Sequence, residues 1–220
     1  MAHIFLLSKD NLEIAKAEAE ALLNESCSAD NDILLPKKEN IDIRQLIKRL
    51  AYTRVILKEL FASDYKELEK DMEKFDWNKV YNESFVVRKI GYNENKLKNE
   101  KEYAKFVWRN VKNPKVDLKN AKTRIILLCG KKVYACLFLA DTDKSYLSRK
   151  AHLRPSLHPT SLSPKLAKAM VNLTGAEKGE TICDPFCGSA GILIEAGLMG
   201  MKTIGVDVSE KMLQMAEKNL

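Results

Sequence analysis

The chain is poor in the residues that build metal centres and disulfide frameworks. Its five cysteines (27, 129, 136, 183 and 187) include no C-x-x-C pair, and its three histidines (3, 152 and 158) lack metal-ligand spacing. That pattern sets aside zinc ribbons and fingers. In a chain with no secretory start, such thiols read as reduced, small buried hydrophobes. No apolar run approaches the roughly 20 residues that cross a bilayer. The opening MAHIFLLSKD has neither a basic start nor an apolar stretch of signal length, so the expected location is the cytoplasm. Internal repeats and low-complexity tracts are absent as well. The six prolines (36, 114, 155, 159, 164 and 185) never fall side by side.

What is present is a composition of 45% hydrophobic and 30% charged residues over 220 positions. This suits a soluble globular protein of one large domain or two small ones. The net charge of +7 is unevenly placed: Lys+Arg against Asp+Glu is 17 to 19 in residues 1–100, 13 to 4 in 101–150 and 7 to 7 in 151–220. Aromatics interleave the basic block (Tyr103, Phe106, Trp108, Tyr134 and Tyr146). Clustered cations of this kind suit a polyanion, because each neutralised phosphate releases counterions. They equally suit a solvated Lys-rich surface, and charge alone leaves both readings open.

Apolar periodicity divides the chain into alternating strands and helices. Strands are expected at 3–7, 32–35, 53–60 and 85–90, and helices at 11–23, 43–51, 65–75 and 100–111. RIILLCGKKVYACLFLA reads as a hairpin turning at Gly130. Tyr103, Phe106 and Val107 lie at helical spacing and read as core. Residues 141–155, polar and aperiodic, read as a linker. Beyond them, Ser163 and Pro164 form a helix-starting pair ahead of Leu166, Ala169, Met170 and Leu173 on one face. A strand ending at Cys183, a turn at Asp184, a helix over 190–198, a strand at 203–206 and a helix capped by Ser209 complete a β-α-β unit. Such a unit opens a doubly wound parallel sheet.

The turn between the first strand and helix of that unit reads DPFCGSAG. Glycines there let a ligand approach the backbone, and the helix start favours a negative group. Asp207, at the end of the next strand, can accept from two ribose hydroxyls. Dinucleotide sites use G-x-G-x-x-G, whereas this chain has Gly188-x-x-Gly191 preceded by a carboxylate. Asp184 would repel a pyrophosphate but could orient the ammonium of a methionine moiety. The chemistry therefore favours S-adenosylmethionine over NAD.

DPFCGSAGILIEA followed by GVDVSEKML, and preceded by HPTSLSPKLAKAMVNL, resembles the amino-methyltransferases that modify guanine N2 in RNA, in particular the tRNA guanosine-10 methyltransferases. The family turn has the form D-P-F-C-G-[ST]-G-G, from which Ala190 departs by one methyl group. The resemblance implies S-adenosylmethionine bound by Asp184, Pro185, Phe186, Cys187, Gly188, Ser189 and Gly191, by Asp207 and Val208 at the ribose, and by His158, Pro159, Thr160 and Ser161 at the methionine end. It also implies a ferredoxin-like domain at 1–60, a THUMP RNA-binding domain at 61–150, and the first β-α-β of a Rossmann-like methyltransferase domain at 151–220. THUMP would then grip the acceptor side of tRNA, with Arg88, Lys89, Lys131 and Lys132 as candidate contacts.

Such enzymes hold the target amine with a [DN]-P-P-[YF] motif after the fourth strand, and these 220 residues contain no Pro-Pro pair. Two strands of the expected sheet are present. The expectation is a fragment or the N-terminal subunit of a split enzyme, with a second polypeptide or self-association completing the sheet. The alternative is a non-catalytic RNA-binding adaptor. A thiouridine synthetase would need an S-G-G-x-D-S loop, which the sequence lacks.

Overall fold

The computed structural model describes residues 2–220. The chain folds into two compact units, each assembled from several stretches. One comprises 2–6, Cys27–Glu39 and Val55–Ala140; the other comprises Leu7–Ser26, Asn40–Arg54 and Asp141–Leu220.

The first unit is built on a seven-stranded sheet. Its strands are β1 (His3–Leu7), β2 (Ser28–Asp30), β3 (Ile33–Leu35), β4 (Thr53–Ser63), β5 (Phe85–Ile90), β6 (Thr123–Cys129) and β7 (Val133–Asp141). They lie in the order β2-β3-β1-β4-β7-β6-β5. On β6 the pleat sends Ile125, Leu127 and Cys129 into one cluster with Trp77, Phe85 and Phe106, while Ile126 and Leu128 join Ile4, Leu6 and Leu57 in another. A strand buried on both faces reads as a continuous apolar run, which explains TRIILLC. The helix α3 (Leu68–Lys74) packs on α4 (Glu100–Asn110), whose buried residues are the expected Tyr103, Phe106 and Val107. Trp108 falls off that stripe and is exposed. Two parallel strands need a crossover, and α4 supplies it between β5 and β6. The expected hairpin turns at Gly130, pairing Cys129 with Val133. β2 has only three residues, two of them exposed, so no alternation announces it; Asn31, in the left-handed conformation (φ 56°), turns the chain into β3.

The second unit contains α1 (Leu12–Leu23), α2 (Ile43–Arg49), α5 (Pro164–Leu173), α6 (Gly191–Leu198) and α7 (Glu210–Asn219), with the parallel strands β8 (Thr181–Asp184) and β9 (Lys202–Gly205). Asn11 caps α1 by accepting from the Ile14 amide, and Ser163 caps α5 ahead of Pro164. α1 packs on α5, and α5 on α6. The joint between them is polar. Glu18, fully buried, accepts from the Ala51 and Tyr52 amides (2.9 and 2.8 Å) and from Asn172 Nδ2 (2.7 Å). Asn172 in turn accepts from Arg49 Nε at 2.9 Å. Every hydrogen-bonding group of this cluster that is buried has a partner, which is the condition for burying it at acceptable cost.

The expected linker is ordered differently. Residues Ser145–Arg149 and Ala151–Leu153 form 3₁₀ turns; Tyr146 is buried, and Arg149 grips the buried Glu195 carboxylate with two bonds of 2.8 Å. Turns this short leave no periodicity in the sequence, and the anchoring residues are single.

Candidate functional site

The turn from β8 into α6 is closed by its own acids. Asp184 Oδ1 accepts from the Phe186 amide at 3.1 Å, bending the chain immediately after the strand. Cys187 N donates to Val206 O (2.9 Å) and Val206 N to Asp184 O (2.9 Å), so the turn lies along the end of β9. That approach is possible because residue 205 is glycine: a Cβ there would stand 2.5 Å from Leu193 Cδ1 and 3.0 Å from Cys187 Sγ. Gly188 adopts φ 50°, with open space where a Cβ would stand, and its amide donates to Asp207 Oδ2 at 2.9 Å. Asp207 Oδ1 accepts from the Ser209 amide at 2.8 Å. One carboxylate therefore ties the glycine turn to the loop that starts α7, and each oxygen keeps a lone pair for a further donor.

The loop before α5 reaches the same place. His158 Nδ1 lies 2.9 Å from Thr160 Oγ1, and Ser161 Oγ lies 2.8 Å from Ser189 Oγ. Asn219 holds the base of the assembly, donating to Ser156 O and Ser189 O at 3.0 and 3.1 Å. Behind the α6 start, Arg154 donates Nε to Arg149 O (3.1 Å), while its two Nη atoms are buried without a hydrogen-bond partner.

These segments enclose a cavity of about 480 Å³. His158, Thr160, Ser161, Asp184, Phe186, Cys187, Gly188, Ser189, Gly191 and Asp207 line it; Pro185, Pro159 and the fully exposed Val208 do not. Four further lining residues escaped the sequence: Leu162, Ile192, Ser209 and Met212. Ser209 and Met212 carry a signal of a kind, since Ser209 caps α7 by accepting from the Met212 amide, but nothing in the sequence turns that cap towards the cavity. Phe186 is 85% exposed, an apolar ring at the rim. Burial, then the Asp184 and Asp207 carboxylates, push the Cys187 thiol up, so it stays protonated and serves as packing.

The candidate RNA contacts fall in the other unit. Arg88 Nη1 pairs with Glu100 (3.0 Å) and Nη2 donates to Leu118 O (3.1 Å), while Lys89 Nζ donates to the Glu94 and Leu97 carbonyls. Both side chains tie β5 to the segment leading into and beyond α4. Lys131 and Lys132 are exposed in the β6–β7 turn. That turn is clamped: Asp30 Oδ2 accepts from the Lys131 amide (2.6 Å), and Gly130 O accepts from Tyr65 Oη (2.8 Å) and Asn93 Nδ2 (2.9 Å). Burial pushes the Tyr65 hydroxyl up to about 12. Among the described residues no cluster of three His, Cys, Asp or Glu could hold a metal, and no helix is long and apolar enough to cross a membrane.

Residues 151–220 match the family described as RMKL-like, methyltransferase domain. Over its whole length the chain is 33% identical to the tRNA (guanine(10)-N2)-dimethyltransferase of Methanothermobacter thermautotrophicus, covering 68% of that protein. The chain belongs to the tRNA (guanine(10)-N2)-dimethyltransferase family. The Pyrococcus abyssi member is 32% identical over 94% of this chain and 64% of its own, so the chain spans about two thirds of the length of these relatives. Among solved structures, TrmN from Thermus thermophilus matches with a TM-score of 0.57 and 22% identity, over all of this chain and 69% of that one. SMU.472, solved in complex with SAH, matches with a TM-score of 0.53 and 17% identity, over 99% of this chain and 71% of that one. These two likenesses carry the fold: a mixed α/β architecture with a methyltransferase-like β8-α6-β9 unit.

Proposed function

We propose that this member of the tRNA guanine-N2 methyltransferase family binds S-adenosylmethionine in the β8–α6 cavity and serves methyl transfer to the exocyclic N2 of guanosine 10 in tRNA. The observation that carries the reading is the double use of Asp207, which fixes the Gly188 amide while keeping acceptor capacity facing the cavity. The residues suit this cofactor: Asp207 for ribose hydroxyls, Asp184 with the His158–Ser161 loop for the amino-acid end, and Ile192, Met212 and Phe186 for the adenine faces. Two carboxylates around the turn disfavour a pyrophosphate. The bound cofactor supplies an electrophilic methyl group; the chain's own contribution is to orient it and exclude water.

The domain reading goes with it. The connection β1-α1-β2-β3-α2-β4 with strand order β2-β3-β1-β4 supports a ferredoxin-like fold at 1–60. The β5-α4-β6 crossover and the clamped Lys131–Lys132 turn support a THUMP RNA-binding region over 61–150, which would hold the acceptor side of tRNA. No [DN]-P-P-[YF] motif lies in these 220 residues, so the group that grips the target amine is not among them.

Equilibrium dialysis with labelled S-adenosylmethionine, alongside tRNA titration, tests the reading. Saturable cofactor binding that Asp207→Ala abolishes supports it. Tight tRNA binding with no cofactor uptake would instead favour an RNA-binding adaptor.

A further inference from the structure

Among the described residues of the first unit, the large apolar side chains that stand exposed are Trp108 (49%), Val116 (44%) and Leu118 (65%), all within residues 108–118. Single exposed apolar residues are ordinary, but three gathered on one short stretch mark a contact surface. The same stretch carries the excess charge of the chain. Residues 105–124 hold seven Lys and Arg against one acid, Asp117, while the other 200 residues are balanced at 30 against 29. Three of the seven cations are occupied: Lys105 pairs with Glu102 (2.7 Å), Lys115 faces Asp117, and Arg124 lies 3.5 Å over the Phe138 ring. Arg109, Lys112, Lys119 and Lys122 are exposed and have no side-chain hydrogen bond or ion pair among the described residues. The backbone beneath them is pinned along the edge strand β5. The Phe85 amide donates to Lys115 O (2.8 Å) and Phe85 O accepts from the Asp117 amide (3.1 Å), while Tyr81 Oη accepts from the Lys115 amide (3.2 Å). Asp117 spends its carboxylate on the Lys119 and Asn120 amides (2.9 and 2.8 Å). A segment fixed before it meets a ligand has less conformational freedom to lose on binding.

We infer that the strip from Trp108 to Lys122 is a docking surface for unpaired RNA, with the Trp108 indole stacking on a base and Arg109, Lys112, Lys119 and Lys122 on the phosphates. Charge complementarity selects a polyanion. The exposed indole and the two aliphatic side chains among the cations select an unpaired strand, because a duplex hides its base faces within its own stack. The strip leads into β6 at Thr123, the end opposite the Lys131–Lys132 turn, so it is a different surface from that turn. That the RNA is tRNA rests on the function proposed above; the preference for an unpaired strand does not.

The test uses the full chain, with tRNA, a labelled single-stranded oligoadenylate of about twelve nucleotides and an RNA duplex of the same length titrated across a salt series. The single strand should bind more tightly than the duplex, and Trp108→Leu should weaken it about tenfold, the effect of one lost base stack. Trp108→Phe keeps a ring and should recover most of that loss, and the melting temperature of both variants should hold, since the side chain is half exposed. Trp77 is fully buried, so fluorescence quenching by the oligonucleotide should report Trp108 and vanish in Trp108→Phe. The variant R109Q/K112Q/K119Q/K122Q should flatten the slope of log K against log salt by about two to three. Duplex binding as tight as the single strand, with Trp108→Leu unaffected, overturns the unpaired strand. RNA binding by the unmutated chain that every variant retains, with the same salt slope, overturns the strip and leaves the tRNA reading standing. Binding of the oligonucleotide but not of tRNA means that the tRNA reading has failed while the strip stands. No RNA binding at all overturns the RNA assignment and leaves an acidic protein surface as the partner.

Discussion

Ala190 shows how one methyl group is balanced at a functional turn. It sits in the left-handed region (φ 67°, ψ 24°) at the start of α6, fully buried beside Cys187 and Leu193. That conformation costs a non-glycine residue about 1–2 kcal/mol, whereas burying the methyl returns about 0.8 kcal/mol and Ala limits the unfolded chain more than Gly does. The opposing effects nearly cancel. Ala190→Gly should therefore shift stability by under about 0.5 kcal/mol, and Ala190→Val, β-branched in the same conformation, should lose about 2 kcal/mol or more in urea denaturation. A large gain from the glycine variant would mean the methyl is clashing instead of packing. Glu18 offers a second residue-scale check. All three of its partners are donors, so only the carboxylate satisfies them; Glu18→Gln turns an amide donor toward a donor and should cost about 1–3 kcal/mol. Burial pushes the Glu18 carboxyl above its ordinary value, with the three donated bonds pulling it back. Its folded pKa thus exceeds its unfolded one. The unfolded chain releases the proton first, so this residue's contribution is fully present below the unfolded pKa and is lost as pH rises towards the folded pKa. Removing the carboxyl in Glu18→Gln should flatten that part of the stability–pH curve.

At the level of elements, the fork of Arg149 on Glu195 joins a 3₁₀ turn to α6, with Glu195 only 1% exposed. Truncating Arg149 strands that charge, so Arg149→Ala should destabilise by about 3–5 kcal/mol, while R149M/E195L should recover much of it. Equal losses in the single and double variants would show that packing, not charge, holds the turn. This contact also marks where sequence was legible and where it was not. The β8-α6-β9 unit was readable because its acids, glycines and caps are local and sit at fixed spacing. Helix α4 was readable from its apolar stripe; α5 was readable from its Ser163–Pro164 start, but its expected face was not the buried one, since Met170 and Leu173 are exposed while Ala167, Lys168, Val171 and Asn172 are buried against neighbouring elements. Residues 141–155 were not readable, since Tyr146 and Arg149 act through Lys168 and Glu195, which lie further along the chain. The cavity showed the same split: backbone-shaping residues such as Asp184 and Gly188 were visible, whereas Leu162, in the loop ahead of α5, and Ile192, in the first turn of α6, line it only through how those segments are placed.

Across the molecule, neither unit is a continuous stretch. The unit that carries the glycine turn takes α1 and α2 from the first fifty residues, and Glu18 bonds Asn172 across 154 positions. A polypeptide of residues 141–220 alone keeps α6 but lacks α1, which packs on α5 and supplies Glu18 to Asn172, so it should show no cooperative thermal transition, and a sharp one would mean α1 is dispensable. The Glu18–Asn172 bond also sets a schedule for the nascent chain. At about 5–20 residues per second of synthesis, α1 leaves the ribosome on the order of ten to thirty seconds before its partner helix exists. Through that interval its buried-face residues Ala15 and Ala19 and the Glu18 carboxylate wait without the helix that will cover them.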